Sequence, residues 1–556
     1  MHDAPAKAGA SSHSGLKTKL EWGGRLRSMA KPTITVDPLV VMLIGVLASV
    51  AIAPSVMAQD DPPNPKETPA IDPFDPGATE TADARWRGLQ HLERIQFLSN
   101  ISTFDDSPTL LPIRPWETSV DLKTRQPTPL GRPPVDPLFG APLEPLLRPW
   151  RAVQSTALEQ LGLNTSAYYT LLYQHVTDPK PGTPSNFGTG RLDVNLVWNL
   201  WADHEEDGSL LGAGFEGHGV LGILVRQGNQ IGNPQSVSTQ NSAGSIVGLD
   251  SLYSGANGGP ATLNLLYLQQ GWLDDRLVVS AGKIHPNQYI GLNFWANDES
   301  RQFLAGAFDG IQPLGSSQGG YQLGVAVQAI PAESVFVNAV VTDALGRPDN
   351  AFSTLGEGFL WTAVETGVVL PFDEVALGGP TVATVIWSGQ NLDALASTPT
   401  RNWSNAIGFQ WQGHLTDRLG YFAQGAWSEP SMSTVTTSIS CGIGIEQPFG
   451  RRGDLFGFGY NWMRPSPAVA SGGNGNSLLG AAPIQLEYVG LAYNENNIFA
   501  AAFSPTSPQS MIEAFYRVQL TESMQLTPDL QVVFHPGARS DSEVSVVLGL
   551  RLTTDF

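Results

Sequence analysis

The 556-residue sequence holds a single cysteine, Cys441, and charged residues make up only 15% of it. One thiol excludes an intramolecular disulfide framework and leaves no thiolate pair for a metal. Low charge combined with 14 Trp, 23 Phe and 12 Tyr excludes a disordered chain, which needs the opposite balance. A formal net charge of −20 excludes nucleic acid as a partner, because phosphate would be repelled. The nine histidines are scattered, and no H-x-x-x-H or G-x-S-x-G pattern supports a hydrolase site, so nothing points to an enzyme, a metal or a cofactor.

Long apolar runs are equally scarce. Leu39 to Ala53 is the one sustained run, preceded by Lys17, Lys19, Arg25, Arg27 and Lys31 and followed by Val56-Met57-Ala58. Small or short residues there fit export with cleavage after Ala58, giving a signal segment of 1–58, with Met29 as an alternative start. An uncleaved anchor is the competing reading, since a spanning helix needs about 20 residues. No later segment offers a spanning helix, so further membrane insertion must use strands.

What the chain does have is proline and glycine, 42 and 59 residues. Proline dominates residues 59–149, expected to be a periplasmic extension or linker because proline deletes backbone donors and forbids helix interiors. Within it Ala84 to Leu98 reads as a short amphipathic helix, a spacer or a plug. Trp150 to Leu161 reads as a second helix leading into the first strand.

From about Asn164 the period becomes two. Leu192, Val194, Leu196, Trp198 and Leu200 share one strand face, while Arg191, Asp193, Asn195 and Asn199 share the other. The alternation recurs: Tyr321, Leu323, Val325 and Val327 oppose Gln322 and Gln328. Trp403, Ile407, Phe409 and Trp411 oppose Ser404, Gln410 and Gln412. Ile512, Ala514, Tyr516 and Val518 oppose Glu513, Arg517 and Gln519, and Leu526, Leu530, Val532 and Phe534 oppose Gln525, Asp529 and Gln531. Strand-like stretches of about ten residues suit a tilted bilayer crossing, against five or six in soluble sheets. Trp198, Trp201, Trp272, Trp361, Trp403, Trp411, Trp427 and Trp462 fall near strand ends, as an interfacial girdle requires. Hydrocarbon tolerates only helices or closed barrels, since each unpaired backbone group costs several kcal/mol. The expected fold is therefore all-β, a transmembrane antiparallel β-barrel over residues 150–556.

Tight connections such as 273–276 and 416–418 alternate with long polar ones, 227–260 and 286–320, as two unlike rims would produce. About sixteen strands leave about 25 residues for each strand with its connection; 22 strands would leave about 18, too few for both long loops.

Several motifs have blander readings. Gly212, Gly214 and Gly217 match G-x-G-x-x-G, but Gly219, Val220, Gly222 and Val225 follow as a strand, not the helix a dinucleotide site needs. Asp203 to Gly208 reads as an acidic turn and Cys441 as a small lipid-facing filler. Lys283 has outward parity, and either snorkels or is turned inward by a bulge at Gly282.

Residues 266–313, 446–460 and above all 511–556 resemble the carbohydrate-selective porins of the OprB family. The stretches carrying this are LYLQQGWLDDRLVVSAGK with its following loop, EQPFGRRGDLFGFGY, and the closing TPDLQ, HPG and VLGLRLTTDF. The resemblance spans roughly 150–556 and implies a sixteen-stranded barrel in the Gram-negative outer membrane, passing sugars by diffusion through a constricted lumen. Strand parity nominates Arg191, Asp193, Asn195, Glu513, Arg517 and Asp529 as lumen-facing sugar contacts. Phe294, Trp295 and Arg301, within 293–308, are expected to form the constriction. From residue 151 onward 16 basic residues face 34 acidic ones, which favours neutral sugars or weak cation selectivity over anions. A plugged structural barrel is the further alternative. The expected surroundings are lipid bilayer and lipopolysaccharide, with assembly machinery reading Phe556 at the end of an alternating strand, and a homotrimer left open.

Overall fold

The computed structural model describes residues 135–556 apart from 141, 162, 202–218, 232–238, 253–260, 274–275, 316–319, 333–334, 345–357, 371–380, 394–400, 417, 467–506 and 539–543. The export segment, the helix expected at 84–98, the acidic turn at 203–208 and the glycine motif at 212–217 lie outside the described residues.

A helix, α1 (Glu144–Leu161), leads into β1 (Leu163–Val176), β2 (Asn186–Trp201), β3 (Gly219–Gln230), β4 (Thr262–Trp272) and β5 (Leu277–Ile284). After a long loop come β6 (Gln322–Ala332), β7 (Val335–Asp343), β8 (Leu360–Leu370), β9 (Thr381–Leu392), β10 (Arg401–His414) and β11 (Leu419–Ser428). The wall is completed by β12 (Val435–Glu446), β13 (Leu455–Pro465), β14 (Gln509–Thr521), β15 (Met524–Phe534) and β16 (Ser545–Asp555). Each strand pairs with its sequence neighbours, and β16 pairs back onto β1, so the sheet is a closed sixteen-stranded antiparallel barrel. At the seam Tyr168 sits opposite Asp555 and Val176 opposite Val547, and the Phe556 N–H donates to the Ala167 carbonyl at 2.8 Å. No edge remains.

The polarity of this sheet is inside out. Thr170, Gln174, Asp193, Gln410, Gln424, Asn461, Glu513 and Gln531 are buried on the inner face. Val385, Trp403, Ile407, Phe409, Trp427 and Ile439 stand 47% to 62% exposed on the outer one. A water-soluble sheet would bury the second set, so the outer surface is built for hydrocarbon. Cys441 is exposed between outward neighbours, as its parity required.

Two aromatic assignments need correction. Trp361 does not join the interfacial girdle: Leu360, Val364 and Val368 take the outer face of β8, so Trp361 points inward, fully buried, and its Nε1 donates to the Leu314 carbonyl at 2.8 Å. Tyr321 does not face lipid either. β6 begins one residue later, and Tyr321 belongs to the preceding loop, where its hydroxyl accepts from Arg226 Nη1 at 2.5 Å and its ring lies 4.7 Å from that of His285. At Lys283 the ladders run one to one through Gly282 on both sides, with no inserted residue. Lys283 shares register with Leu266 and Leu323, and its Nζ donates to the Leu263 carbonyl at 2.6 Å.

The helix expected from Trp150 starts at Glu144, and the chain before it already binds the barrel. Asp136 N–H donates to the Arg452 carbonyl at 2.9 Å, and Leu138 and Phe139 follow along Gln519 and Leu520. Arg452 donates back to the Asp136 carboxylate at 2.8 Å. These hydrogen bonds from Arg452 hold the Asp136 carboxyl below its ordinary range, so the clasp forms above that range and is lost as pH falls through the lowered value.

Ile407 sits mid-strand on β10, 56% exposed on the outer face. Ile407→Arg is expected to destabilise the folded barrel by about 2–4 kcal/mol in reversible denaturant titration in lipid. A loss no larger than that at an exposed loop position would contradict the lipid-facing assignment.

Candidate functional site: the lumenal constriction

The loop between β5 and β6 folds into the barrel and is bonded to the inner wall along most of its length. On one side, Gln410 and Gln412 side-chain amides donate to the Gly291 and Leu292 carbonyls, the latter at 2.7 Å, and Gln412 Oε1 accepts from Phe294 N–H at 2.8 Å. Gln424 accepts from Asn293 Nδ2 at 3.0 Å and donates to the Phe308 and Gly310 carbonyls. Ser440 Oγ donates to the Ala307 carbonyl at 3.0 Å, and Ser388 Oγ to that of Leu314 at 2.7 Å. Each inward side chain takes a backbone group the loop would otherwise carry unpaired into the interior, where it would cost about 1–3 kcal/mol.

On the opposite side the anchors are ionic. Arg191 on β2 donates through Nε to Asp193 at 2.7 Å, through Nη1 to Glu299 at 2.5 Å and through Nη2 to Ser300 Oγ at 2.9 Å. Arg226 on β3 donates to the other oxygen of Asp193 and also reaches Glu299, 3.9 Å away. Arg551 on β16 donates to the Glu299 carbonyl and, at 2.7 Å, to that of Gln302, while Thr553 Oγ1 donates to that of Ser300 at 3.0 Å. Arg301, on the loop, returns the contact to Asp555 at 2.5 Å and lies over the Tyr168 ring at 5.1 Å. Burial opposes ionisation of Glu299, but the guanidiniums of Arg191 and Arg226 outweigh it and hold that carboxyl below its ordinary range. Glu299 therefore stays ionised at neutral pH, and its contribution is lost only as pH falls through the lowered value.

Between the two sides the loop is wedged by aromatic rings. Trp295, 6% exposed, lies over Gly420 and Gly444, where an added Cβ would stand 1.7 Å and 2.2 Å from its ring. Phe303 packs 4.7 Å from Phe308 and edge-on to Phe515 at 5.0 Å. Glycine on the inner face therefore makes seats for the loop's rings.

A second inward segment, which strand parity did not expose, supports the first. Residues 239–252 of the β3–β4 connection begin with a short helix, α2 (Thr239–Ala243), and are buried. Gln174 and Gln531 donate to the Leu249 carbonyl at 2.8 and 3.1 Å, and Gln509 accepts from Ile246 N–H at 3.0 Å. The two segments meet through Ser251 N–H to the Leu304 carbonyl and Gly306 N–H to the Gly248 carbonyl, both at 3.0 Å. The constriction is a pair of joined loops.

The nominated residues thus fall into groups. Arg191, Asp193 and Arg301 come together in the ionic knot. Glu513 accepts from the Leu304 and Ala305 N–H groups at 2.5 and 3.0 Å. Trp295 is a wedge in the wall, and Phe294, partly buried, packs near Phe336 and Val382. Asn195 and Asp529 are buried on the inner face, and Arg517, half-buried, shares the inward parity of Glu513. Arg226, Glu299 and Arg551 were missed as partners. Arg226 pairs in register with Asp193, a relation that appears only once β2 and β3 are aligned.

Glu513→Ala leaves two loop N–H groups without their acceptor. Hydrogen exchange at Leu304 and Ala305 is expected to accelerate about tenfold or more, equivalent to 1.4 kcal/mol or above, with the strand ladders unchanged. Gly420→Val is expected to expel Trp295 and change single-channel conductance; unchanged conductance with a folded barrel would show that Trp295 does not set the aperture.

Comparison with known proteins agrees with this geometry. Residues 223–556 match the family described as carbohydrate-selective porin, OprB family. Porin AaxA of Chlamydia abortus is 22% identical over 295 residues, covering 52% of this chain and 56% of that protein, so the match spans little more than half of the curated relative. A high-pH structure of Pseudomonas putida OprB superposes with a TM-score of 0.53 at 16% identity, covering 73% of this chain and 97% of that one, which supports the fold. The low-pH structure of the same protein gives 0.41 at 11% identity over 76% and 100% of the two chains. With the family matched over more than half of its length, a closed sixteen-stranded wall and an inward loop, the chain belongs to the OprB family of carbohydrate-selective porins, channels and not enzymes, of the Gram-negative outer membrane.

Proposed function

We propose that the protein lets small neutral sugars diffuse across the outer membrane, past the constriction made by its two inward loops. The observation that carries this is how polarity is divided around the lumen. Among the described residues, the inner faces of β9 to β12 bear no charged side chain except Glu446 at the end of β12. They present Thr384, Ser388, Gln390, Ser404, Gln410, Gln412, Gln424, Ser438 and Ser440. The charged groups of β2, β3 and β16 are engaged in holding the loop. A wall of amides and hydroxyls matches a solute that is rich in hydroxyls and carries no charge.

Arg191, Asp193, Arg301, Glu513 and Trp295 set the aperture in this proposal, and Asn195, Phe294, Arg517 and Asp529 meet the sugar. Lipid and lipopolysaccharide surround the outer face, and assembly machinery reads the strand ending at Phe556. A weakly cation-selective general pore is the second reading, favoured by the excess of acidic over basic residues in the barrel region.

Liposome swelling and planar-bilayer recording test both. Sugar influx, with a reversal potential near zero or slightly favouring cations, is the expected result. Conductance without influx or block by any sugar would leave a general pore. The chain lacking residues 59–134 is expected to conduct like the full mature protein, since residues 135–139 and α1 stay in place. Conductance seen only after that deletion would sink the open-channel reading in favour of a plug.

A further inference from the structure

We infer that α1 is an interfacial helix whose free face lies on the periplasmic leaflet of the membrane, a lipid-docking surface continuous with the barrel's apolar belt. The helix runs under the rim that carries the short turns, below β14, β15, β16 and β1. Its approach is fixed by Leu138 and Phe139 N–H donating to the Gln519 and Leu520 carbonyls at 3.2 and 2.9 Å. Its centre is fixed at the seam by Gln154, 1% exposed, whose Nε2 donates to the carbonyls of Thr165 at 2.8 Å and Phe556 at 3.5 Å. At its end Trp198 Nε1 donates to the Leu161 carbonyl at 2.9 Å. The face toward the barrel is therefore the one carrying Leu147, Arg151 and Gln154.

A second stripe runs beside it at helical spacing. Leu146 is 76% exposed, Trp150 42%, Val153 59% and Leu161 45%, and Phe139, 70% exposed, extends the stripe just before the helix. Residues 146, 150, 153 and 161 lie within one narrow sector of a 3.6-residue helix, about 80° from the barrel-facing sector. Arg148 and Ala152, also exposed, lie on the opposite side.

Exposure of this size in aligned apolar side chains calls for a covering partner. Continuity supplies one. Trp198, which holds the helix end, and Leu163, two residues beyond it, are outward-facing members of β2 and β1, the surface already assigned to lipid. A helix joined to that belt at headgroup level, with a tryptophan in its stripe, fits the interface, where such helices sink about 5–10 Å.

The test uses the full mature chain carrying Cys441→Ser, with single substitutions Leu146→Cys or Val153→Cys on the stripe and Arg148→Cys or Ala152→Cys on the far side. Each is labelled with a bimane fluorophore and reconstituted in liposomes, with barrel closure checked by heat-modifiable electrophoretic mobility. Shallow nitroxide lipids are expected to quench labels at 146 and 153 roughly twofold or more over those at 148 and 152, with aqueous iodide, present on both sides, showing the reverse order. Equal iodide access at all four positions would overturn the proposal. Shielding of 146 and 153 from both quenchers would overturn it too, placing a second copy or another protein on the stripe. Neither outcome depends on what the pore conducts.

Discussion

Everything in this structure follows from the cost of an unpaired backbone group in hydrocarbon. A strand placed in lipid must find partners on both sides, and only a ring offers them to every strand. Once β16 pairs with β1 the outer face is free to be apolar and the inner face is free to be wet, and the period-two pattern of the sequence becomes the physical division between lipid and lumen. The same cost then falls on the loops inside. Amides from β10 and β11 and guanidiniums from β2, β3 and β16 act as surrogate strand neighbours for a backbone that has none of its own.

That substitution explains the composition of the inner wall. Glutamine reaches far enough to bond a carbonyl some distance from the sheet, and it both donates and accepts, as Gln412 and Gln424 do. Glycine does the reverse, withdrawing the wall so that Trp295, Phe303 and Phe308 can enter it. The ionic contacts to the loop are concentrated near where the ring closes, while the inner faces of β9 to β12 present mainly amides and hydroxyls.

The barrel was legible because strand length, alternation and aromatic placement record which solvent each face meets. A count of about sixteen strands and both long loops could be read from spacing. The failures share a cause. Trp361 and Tyr321 were misplaced because an aromatic at a strand end has no neighbour beyond it to fix its phase. Arg226, Glu299 and Arg551 were not recognised as partners because their meaning lies in three-dimensional pairing: each looks like an ordinary polar residue in its own segment. Parity identified Arg191, Asp193 and Glu513 as inward groups but not their task, since an arginine facing water and one gripping a loop have the same period. The segment at 239–252 has no alternation to read, because its geometry is dictated by the wall it leans on.

The ionic knot joins distant parts of the chain. Arg191, near the start of the barrel, and Arg551, near its end, grip the same few residues of the central loop. While the first and last strands are still apart, those two grips cannot act together, and the loop lacks its full set of anchors. Narrowing of the pore is thus coupled to completion of the ring, so that an unfinished wall cannot carry a finished gate.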